Sequence, residues 1–244
     1  MKLNIQLFGR AYEVRKASIQ KTGAAKAKLY SMYAREIYDV AKKGGTDPNS
    51  NASLKRLMER AKKEQVPADI IKRAIDKVNS GADESYEKVS YEIFGPAGST
   101  LIVECLTDNV NRSISSVKAA LNKCKCKIGV QGSVSFNYDN LCIIGFKGID
   151  EEAAMDAIIE SGLDIDDIET NDDMVIIYGN PKDLHALKEA ISTIKEVEFD
   201  IDEIAMLPKD KITLSGEDKE IFDRLVTMLD DIEDVQNIYH NVEE

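Results

Sequence analysis

The spacing of apolar residues changes near residue 81, and this change limits the folds that the chain can adopt. Before it, apolar side chains recur every three or four residues, which predicts amphipathic helices. After it, short apolar and β-branched runs alternate with helical stretches, as in sheets that pack under helices. We therefore expect a helical domain followed by α+β structure.

Four helices are predicted in the first eighty residues. They cover 12–21, 24–43, 52–65 and the stretch from Pro67 to Ser80. Gly44-Gly45 stops the second helix, and Asp47-Pro48 marks the turn that follows. Pro67 suits the first turn of the fourth helix, where its missing N–H is not needed.

The rest of the chain predicts two β-hairpins and a series of further helices and strands. The first hairpin joins Val89–Phe94 to Thr100–Leu106, and the second joins Ser133–Tyr138 to Leu141–Lys147. Helices are also predicted over 111–124, 150–161, 181–194 and 217–229, and strands over 174–178, 197–201, 211–214 and 235–239. This order is typical of two α+β sandwiches of the split-βαβ type.

Two domain arrangements fit this order of elements, and in both of them residues 1–80 form the helical domain. In the nested arrangement, 81–132 and 206–244 form one α+β domain around an inserted domain, 133–205. In the sequential arrangement, two α+β units follow one another along the chain. Periodicity does not decide between them, because both use the same helices and strands.

Charge is distributed unevenly along the chain, whose net charge is −12. Residues 1–80 hold 18 Lys and Arg against 8 Asp and Glu, and residues 81–132 hold 6 of each. Residues 133–205 hold 4 against 19, and residues 206–244 hold 4 against 11. A basic module is attracted to phosphates, and acidic modules are repelled by them. Charges that merely solvate each surface would explain solubility but not this segregation.

The cations of the basic module predict a nucleic-acid-binding surface. Arg56, Arg60 and Lys63 lie opposite the apolar stripe of their helix, and Lys72 and Arg73 do so on the next helix. The leading segment adds Arg10, Arg15, Lys16, Lys21, Lys26 and Lys28. Lys and Arg neutralise phosphates without reading bases, so DNA or structured RNA would bind with a salt-dependent affinity. The alternative is an ordinary solvated helix face.

The sequence does not suggest catalysis or a cofactor. The two histidines, His185 and His240, have no neighbour along the chain that would indicate a nucleophile or a metal site. Cys124 and Cys126 would supply half of a structural zinc site, and a second pair is missing. We therefore expect a protein that is not an enzyme and that binds neither a metal nor a small-molecule substrate.

Two loops that look like ligand sites are better explained as ordinary structure. Gly95–Ser99 lacks the Lys-Ser/Thr of a phosphate-binding loop and leads into a strand, so its glycines are expected to serve a turn. The acidic run 164–169 lacks the spacing of a calcium-binding EF-hand loop, so a solvated acidic edge is expected.

The chain is expected to be cytoplasmic. Its apolar runs are shorter than the roughly 20 residues of a membrane span. Met1–Phe8 contains one Lys and too short an apolar stretch for a secretory signal. The cysteines are therefore expected as thiols; they are Cys105, Cys124, Cys126 and Cys142.

Several separated motifs resemble those of the YebC/PmpR family. They are YEIFGPAGS at Tyr91–Ser99, VECLTDNVNRS at Val103–Ser113 and GSV at Gly132–Val134. Shorter matches occur at Gly44–Pro48, Val66-Pro67 and Tyr239–Val242. The motifs follow the family's order over almost the whole chain. The sequence thus resembles a member of this family and is most similar to its second subgroup.

The resemblance implies a three-domain α+β fold, in which a helical N-terminal domain precedes two split-βαβ-like domains. It also implies that the third domain is inserted into the second. For function, it implies a DNA-binding transcriptional regulator. The alternative is a ribosome-associated translation factor that binds RNA and relieves stalling, for example at proline-rich stretches. No member of the family is recognised as an enzyme.

One part of the resembling motifs is a candidate for contacting a partner. It comprises Thr107, Asp108, Asn109, Asn111 and Arg112. Alternatively, Asp108 or Asn111 only caps the helix that follows. The sequence does not distinguish these two roles, and it does not reveal the oligomeric state.

Overall fold

The computed structural model describes residues 23–243, with side chains from Lys26 onward. The described part of the first domain contains three helices: α1 (Gly23–Gly44), α2 (Ala52–Lys63) and α3 (Ala68–Asn79). The predictions for these three helices are confirmed to within two residues at either end. The short helix predicted over 12–21 lies outside the described residues.

Asn51 joins α1 to α2. Its side-chain oxygen accepts a hydrogen bond from the backbone N–H of Leu54 (3.1 Å) and so caps α2. Its amide nitrogen donates to the Gly45 carbonyl (2.8 Å). A Cβ at Gly44 would lie 2.6 Å from that nitrogen, so glycine is required where α1 ends. Ile37 and Leu54 are fully buried in the core between the helices.

Beyond this first domain, strands and helices alternate. In chain order they are β1 (Glu87–Phe94), β2 (Thr100–Thr107), α4 (Val110–Lys123), β3 (Lys127–Ile128), β4 (Tyr138–Lys147), α5 (Glu151–Glu160), β5 (Ile165–Asn171), β6 (Met174–Gly179), α6 (Leu184–Ile194), β7 (Phe199–Pro208), α7 (Gly216–Asp230) and β8 (Val235–His240). Short 3₁₀ turns lie at 96–98, 135–137 and 181–183.

The first sheet has the strand order β3-β1-β2-β8, and all of its pairs are antiparallel. β8 follows the whole of the second sheet in the chain. The fold therefore has three domains, and the third is inserted into the second, as in the nested arrangement. Helices α4 and α7 cover one face of this sheet, where Ile93, Val103, Val117 and Leu225 are fully buried.

The inserted domain contains the second sheet, whose strand order is β5-β6-β4-β7 and whose pairs are also antiparallel. Helices α5 and α6 pack on one face around Ile144 and Ile158. On the other face, Tyr239 of β8 packs against the cluster that contains Tyr178. β7 runs to Pro208, across the domain boundary placed between 205 and 206, and the exact domain boundaries remain a prediction.

The hairpin predicted around Asp139-Asn140 is wrong. Residues 135–137 form a 3₁₀ turn, and β4 runs unbroken through both residues. They pair with Leu207 and Met206 of β7, so strand pairing overrides their preference for a turn.

Three short or acidic segments also differ from the predictions. β3 and β5 have no counterpart among the predicted strands. β5 carries the acidic run and forms an edge of its sheet, and its Ile165 and Ile168 pack against the core. The strand predicted over 211–214 is reduced to a single bridge between Ile212 and Val242.

Candidate nucleic-acid interface

Two cations of α2, Arg56 and Lys63, contact the inserted domain. Arg56 Nε donates to Asp202 Oδ1 (2.7 Å), and Arg56 Nη2 donates to the Asp202 carbonyl (3.3 Å). Lys63 Nζ donates to the Phe199 carbonyl (2.7 Å) and lies 3.3 Å from Glu198 Oε1. Arg56 is therefore only 29% exposed, whereas Lys63 keeps 46% of its side chain exposed, and phosphate contacts by these two residues stay a prediction. A helical wheel shows which face lies opposite the helix's own core, but not which other domain packs on that face.

Asp202 is the centre of this contact. Lys188 of α6 also donates to its carboxylate (2.6 Å), so two cations from different domains share one acid. Burial raises the pKa of Asp202, but the charge of Arg56 and the hydrogen bond from Lys188 lower it more. The pKa thus lies below its ordinary value, and the carboxylate stays charged where α2 meets β7.

Arg60 contacts groups of its own domain. Its guanidinium lies over the ring of Tyr33 (5.9 Å to the centroid), and its Nε is 3.5 Å from Glu64 Oε1. Tyr33 is buried, and burial raises the pKa of its hydroxyl well above the ordinary value. Arg60 is therefore partly occupied in packing, although its side chain remains 43% exposed.

The other cations predicted from the sequence have different surroundings. Lys28 pairs with Asp230 of α7 (3.1 Å), and Arg73 pairs with Asp69 one turn earlier in α3. Lys26 and Lys72 are exposed and form no salt bridge within residues 26–243. The remaining four, Arg10, Arg15, Lys16 and Lys21, lie outside the described residues.

Two further lysines, which were not predicted from the sequence as binding residues, are exposed in the same way as Lys26 and Lys72. Lys55 and Lys62 of α2 are exposed, and neither pairs with a carboxylate in the described part of the chain. We call Lys26, Lys55, Lys62 and Lys72 the domain-1 lysines. Among the described residues of the helical domain, they are the cations that can meet a phosphate without the loss of an existing ion pair.

The candidate partner motif lies at a buried junction between the first two domains. Asp234, which precedes β8, is 3% exposed. It accepts hydrogen bonds from Arg35 of α1 (3.1 Å), from Arg112 of α4 (2.9 Å) and from the hydroxyl of Thr107 (3.1 Å). Arg35 also donates to the Glu233 carbonyl. The sequence motif identified Thr107 and Arg112, but not Arg35 and Asp234, which are about 200 residues apart in the chain.

The cap of α4 is Asn109. Its side chain accepts the backbone N–H of Arg112 (3.0 Å), so the expectation that Asp108 or Asn111 caps this helix is wrong. Asp108 pairs instead with the Arg112 side chain (2.6 Å), and this hydrogen bond lowers the pKa of Asp108. Asp108 and Asn111 are exposed, and a partner contact by this motif stays a prediction.

Glu92 joins two of the sequence motifs quoted above. Its buried carboxylate accepts backbone N–H groups of Gly132 (2.7 Å), Val134 and Ser135 (3.0 Å), and also the Ser135 hydroxyl (3.0 Å). Burial raises the pKa of Glu92, but these hydrogen bonds outweigh it and hold the pKa below its ordinary value. The loop between β3 and β4 is thus fastened to β1 by one charged side chain.

The Gly95–Ser99 loop closes the β1–β2 hairpin. The Gly95 N–H donates to the Ser99 carbonyl (2.8 Å), and the Ser99 N–H donates to the Pro96 carbonyl (2.9 Å). Gly98 has a φ of +83°, which glycine adopts without strain. The glycines serve the turn, as expected.

The described residues contain neither a metal-binding cluster nor a membrane-spanning helix. Within residues 23–243, no group of three or more His, Cys, Asp and Glu side chains is arranged to hold a metal ion. Nor is any helix in that range long and apolar enough to cross a membrane. The four cysteines are free, and burial raises the pKa of Cys105 and of Cys142 to about 11. These two thiols are therefore poor nucleophiles.

Family models match nearly the whole chain. Residues 10–81 match the N-terminal domain of TACO1/YebC proteins, and residues 86–242 match their second and third domains. The chain belongs to the TACO1/YebC family. The resemblance suggested by the sequence motifs is confirmed.

Curated relatives match this chain over nearly their full length. A protein of Marinobacter nauticus is 47% identical over 97% of this chain and 98% of its own, and one of Alcanivorax borkumensis is 45% identical over 97% and 99%. Both carry the name "Probable transcriptional regulatory protein". The crystal structure of a conserved hypothetical protein from Aquifex aeolicus, 30% identical, covers 92% of this chain and 93% of its own with a TM-score of 0.74.

The motifs that carried the resemblance to TACO1/YebC proteins meet at two joints of the fold. Thr107 and Arg112 meet Asp234 where α1 packs against the second domain. Glu92 meets Gly132 and Val134 where the chain passes from the second domain to the inserted one. Both motifs therefore have a structural role in this chain that does not require a partner.

Proposed function

We propose that the protein is a nucleic-acid-binding regulator of gene expression that contacts phosphates through its helical domain. The observation that carries this proposal is the charge of residues 1–80, which hold 18 Lys and Arg against 8 Asp and Glu in a chain of net charge −12. The names of its relatives favour transcription as the process, and we propose DNA as the corresponding target.

The contact surface that we propose differs from the one expected from helical wheels alone. Arg56 and Lys63 are engaged by the inserted domain, so phosphates would first meet the domain-1 lysines. Arg10, Arg15, Lys16 and Lys21 would add positive charge to the same domain. Each lysine that neutralises a phosphate releases counterions, so binding should weaken steeply as salt rises.

A second candidate is binding to structured RNA, with the ribosome as the site of action and relief of stalling as the role. The docking of β7 on α2 favours it. Glu198 and Asp202 lie within 4 Å of α2 cations, far less than the Debye length of about 8–10 Å. A DNA duplex that approached α2 would meet these carboxylates. Basic ribosomal proteins could instead receive the acidic domains.

In either role we propose that the protein works by binding and not by catalysis, without a cofactor, in the cytoplasm. The cysteines are free, as is usual in a reducing compartment. The relatives are named as regulators.

Charge reversal of two domain-1 lysines tests the proposal. We expect Lys62→Glu with Lys72→Glu to weaken binding to duplex DNA and to reduce the slope of log K against log salt by about 0.9 for each lost phosphate contact. The matched control is Lys182→Glu with Lys195→Glu, two exposed lysines of the inserted domain. If both double variants bound duplex DNA with equal affinity, the domain-1 lysines would not be part of the binding surface.

The choice between the two targets needs a different measurement. On a sucrose gradient of cell lysate, comigration with ribosomal particles that resists DNase but not high salt would favour RNA. Protection of specific promoter DNA at physiological salt, with the protein at the top of the gradient, would favour transcription.

A further inference from the structure

A second cationic surface lies on the second domain, at the end of the first sheet where β3 pairs with β1. The stretch from Asn109 to Tyr138 contains no Asp or Glu, although the chain has 44 of them. Of its four lysines, Lys123, Lys125 and Lys127 lie nearest to β3 along the chain; all three are exposed, and none pairs with a carboxylate among the residues with described side chains. An acid-free stretch in so acidic a chain points to an anionic partner.

Exposed apolar side chains occur on β1 and on the loop that follows these lysines, and one of them neighbours Lys127. Phe94 is 42% exposed and pairs with Lys127 across β1 and β3, so both side chains lie on the same face of the sheet. Phe136 and Val130 are 64% and 78% exposed. Glu92 connects Phe94 to Phe136. It lies two residues before Phe94 on the same face of β1, and its side chain binds the loop that carries Phe136.

The backbone that carries these side chains is held in place. Glu92 binds three N–H groups and a hydroxyl of the loop, and its carbonyl accepts the Gly129 N–H (2.7 Å). The Phe94 ring lies against Gly129, where a Cβ would be 2.9 Å from Phe94 Cε2. Phe94 and the loop are thus positioned before any ligand arrives, which lowers the entropic cost of binding.

We propose that Phe94, Phe136, Lys123, Lys125 and Lys127 form a binding surface for single-stranded RNA. Unpaired bases stack on exposed aromatic rings, and lysines beside the rings neutralise the phosphates of the same strand. An acidic peptide would use the lysines but would leave the rings unexplained. This inference rests on the proposed nucleic-acid function. It adds single-stranded RNA as a ligand and a second binding site.

Binding of a fluorescein-labelled oligouridine of about 12 nucleotides, followed by anisotropy, tests this surface. We expect Phe136→Ala in the full chain to weaken binding about five-fold, the change that corresponds to about 1 kcal/mol of lost base stacking. Phe136→Trp should restore it. The Lys125→Ala and Lys127→Ala double variant should reduce the salt slope by about 0.7 for each lost contact to a single strand.

Controls separate this surface from the domain-1 lysines and from misfolding. Ile159→Ala removes an apolar side chain of similar exposure (65%) from the inserted domain and should bind oligouridine as the unchanged protein does. Duplex DNA should be bound equally by the unchanged protein and by Phe136→Ala. If Lys62→Glu with Lys72→Glu abolishes oligouridine binding while Phe136→Ala does not affect it, the proposed function stands and this inference fails.

Three other results would also overturn the inference. If Phe136→Ala lost as much affinity for duplex DNA as for oligouridine, base stacking would not be involved. If it lost as much affinity for oligothymidine, the surface would bind single-stranded DNA and RNA alike and would not be specific to RNA. A change of oligomeric state in Phe136→Ala with unchanged oligouridine binding would assign it to a second copy of the chain.

Discussion

Asp234 is a buried carboxylate that two arginines from different domains share. Arg35 has a side-chain exposure of 10% and depends on this acid, whereas Arg112 is half exposed and also contacts Asp108. Removal of the acid would leave Arg35 buried, with only the exposed carboxylate of Glu233, 3.7 Å away, as an ion-pair partner. The loss of one member of a buried ion pair costs far more than the pair contributes, because the remaining charge stays desolvated.

We expect Asp234→Asn to lower the free energy of unfolding by about 3 kcal/mol. Urea denaturation measures this change. Asp230→Asn is the matched control, since Asp230 also joins α7 to α1 through Lys28 but is 47% exposed, and it should cost less than about 1 kcal/mol. Equal losses in the two variants would contradict the importance of burial at Asp234.

Neither Asp234 nor Arg35 could be identified from the sequence. Both are ordinary charged residues in segments rich in charge, and only the packing of α1 against the second domain brings them together. The capping role of Asn109 could have been predicted from the sequence, because an Asn before a helix is a common cap. The choice among Asp108, Asn109 and Asn111 depends on where the first turn of α4 begins, and helix ends are the least certain part of a periodicity argument.

At the scale of elements, Glu92 fastens the loop between β3 and β4 to β1. Because its pKa is lowered by the loop N–H groups, the folded state favours the charged carboxylate more than the unfolded state does. Its contribution to stability is therefore fully present above the ordinary pKa of about 4.5, and it is lost as pH falls through the lowered folded value.

We expect Glu92→Gln to remove this part of the acid sensitivity. The difference in unfolding free energy between the unchanged protein and the variant should be largest near neutral pH and should shrink below about pH 4.5. Denaturation at a series of pH values measures it. A difference that is constant with pH would mean that the charge of Glu92 is not what holds the loop.

Helices could be predicted because the apolar spacing that defines them lies within one segment of the chain. Strands could not be predicted where they depend on pairing with a segment far away in the sequence. α1, α2 and α3 follow from apolar spacing and from stops such as Gly44-Gly45. Asp139 and Asn140 look like a turn and become strand only because β7 pairs with them from nearly 70 residues away. The same limit applies to α2, because its cationic residues are visible in the sequence but their contact with β7 is not.

At the scale of the whole molecule, the inserted domain leaves and rejoins the second domain at adjacent points. Tyr138 and Pro208 are paired neighbours, and the Lys209 N–H donates to the Asn137 carbonyl (2.8 Å). The second sheet lies wholly between these points. A short linker can therefore replace the insertion, since the ends that it must join are already close.

We expect the replacement of residues 138–208 by a glycine linker to leave the first two domains folded and to strengthen binding to duplex DNA. Arg56 and Lys63 would lose Asp202 and Glu198 and become available to phosphates, and a strongly acidic domain would be gone. The salt slope should then rise by about 1.8, or about 0.9 for each of the two cations. Anisotropy titrations at several salt concentrations measure this change, with circular dichroism to check that the helices remain.

Loss of repulsion alone would also raise the affinity of the shortened protein, so the two effects must be separated. Arg56→Ala with Lys63→Ala in the shortened protein should return the salt slope to that of the full chain, while the gain from lost repulsion remains. In the full chain the same pair should change the slope little, because both cations already contact β7 and the residues before it. A slope that does not rise when the insertion is removed would mean that the α2 face takes no part in binding even when it is uncovered.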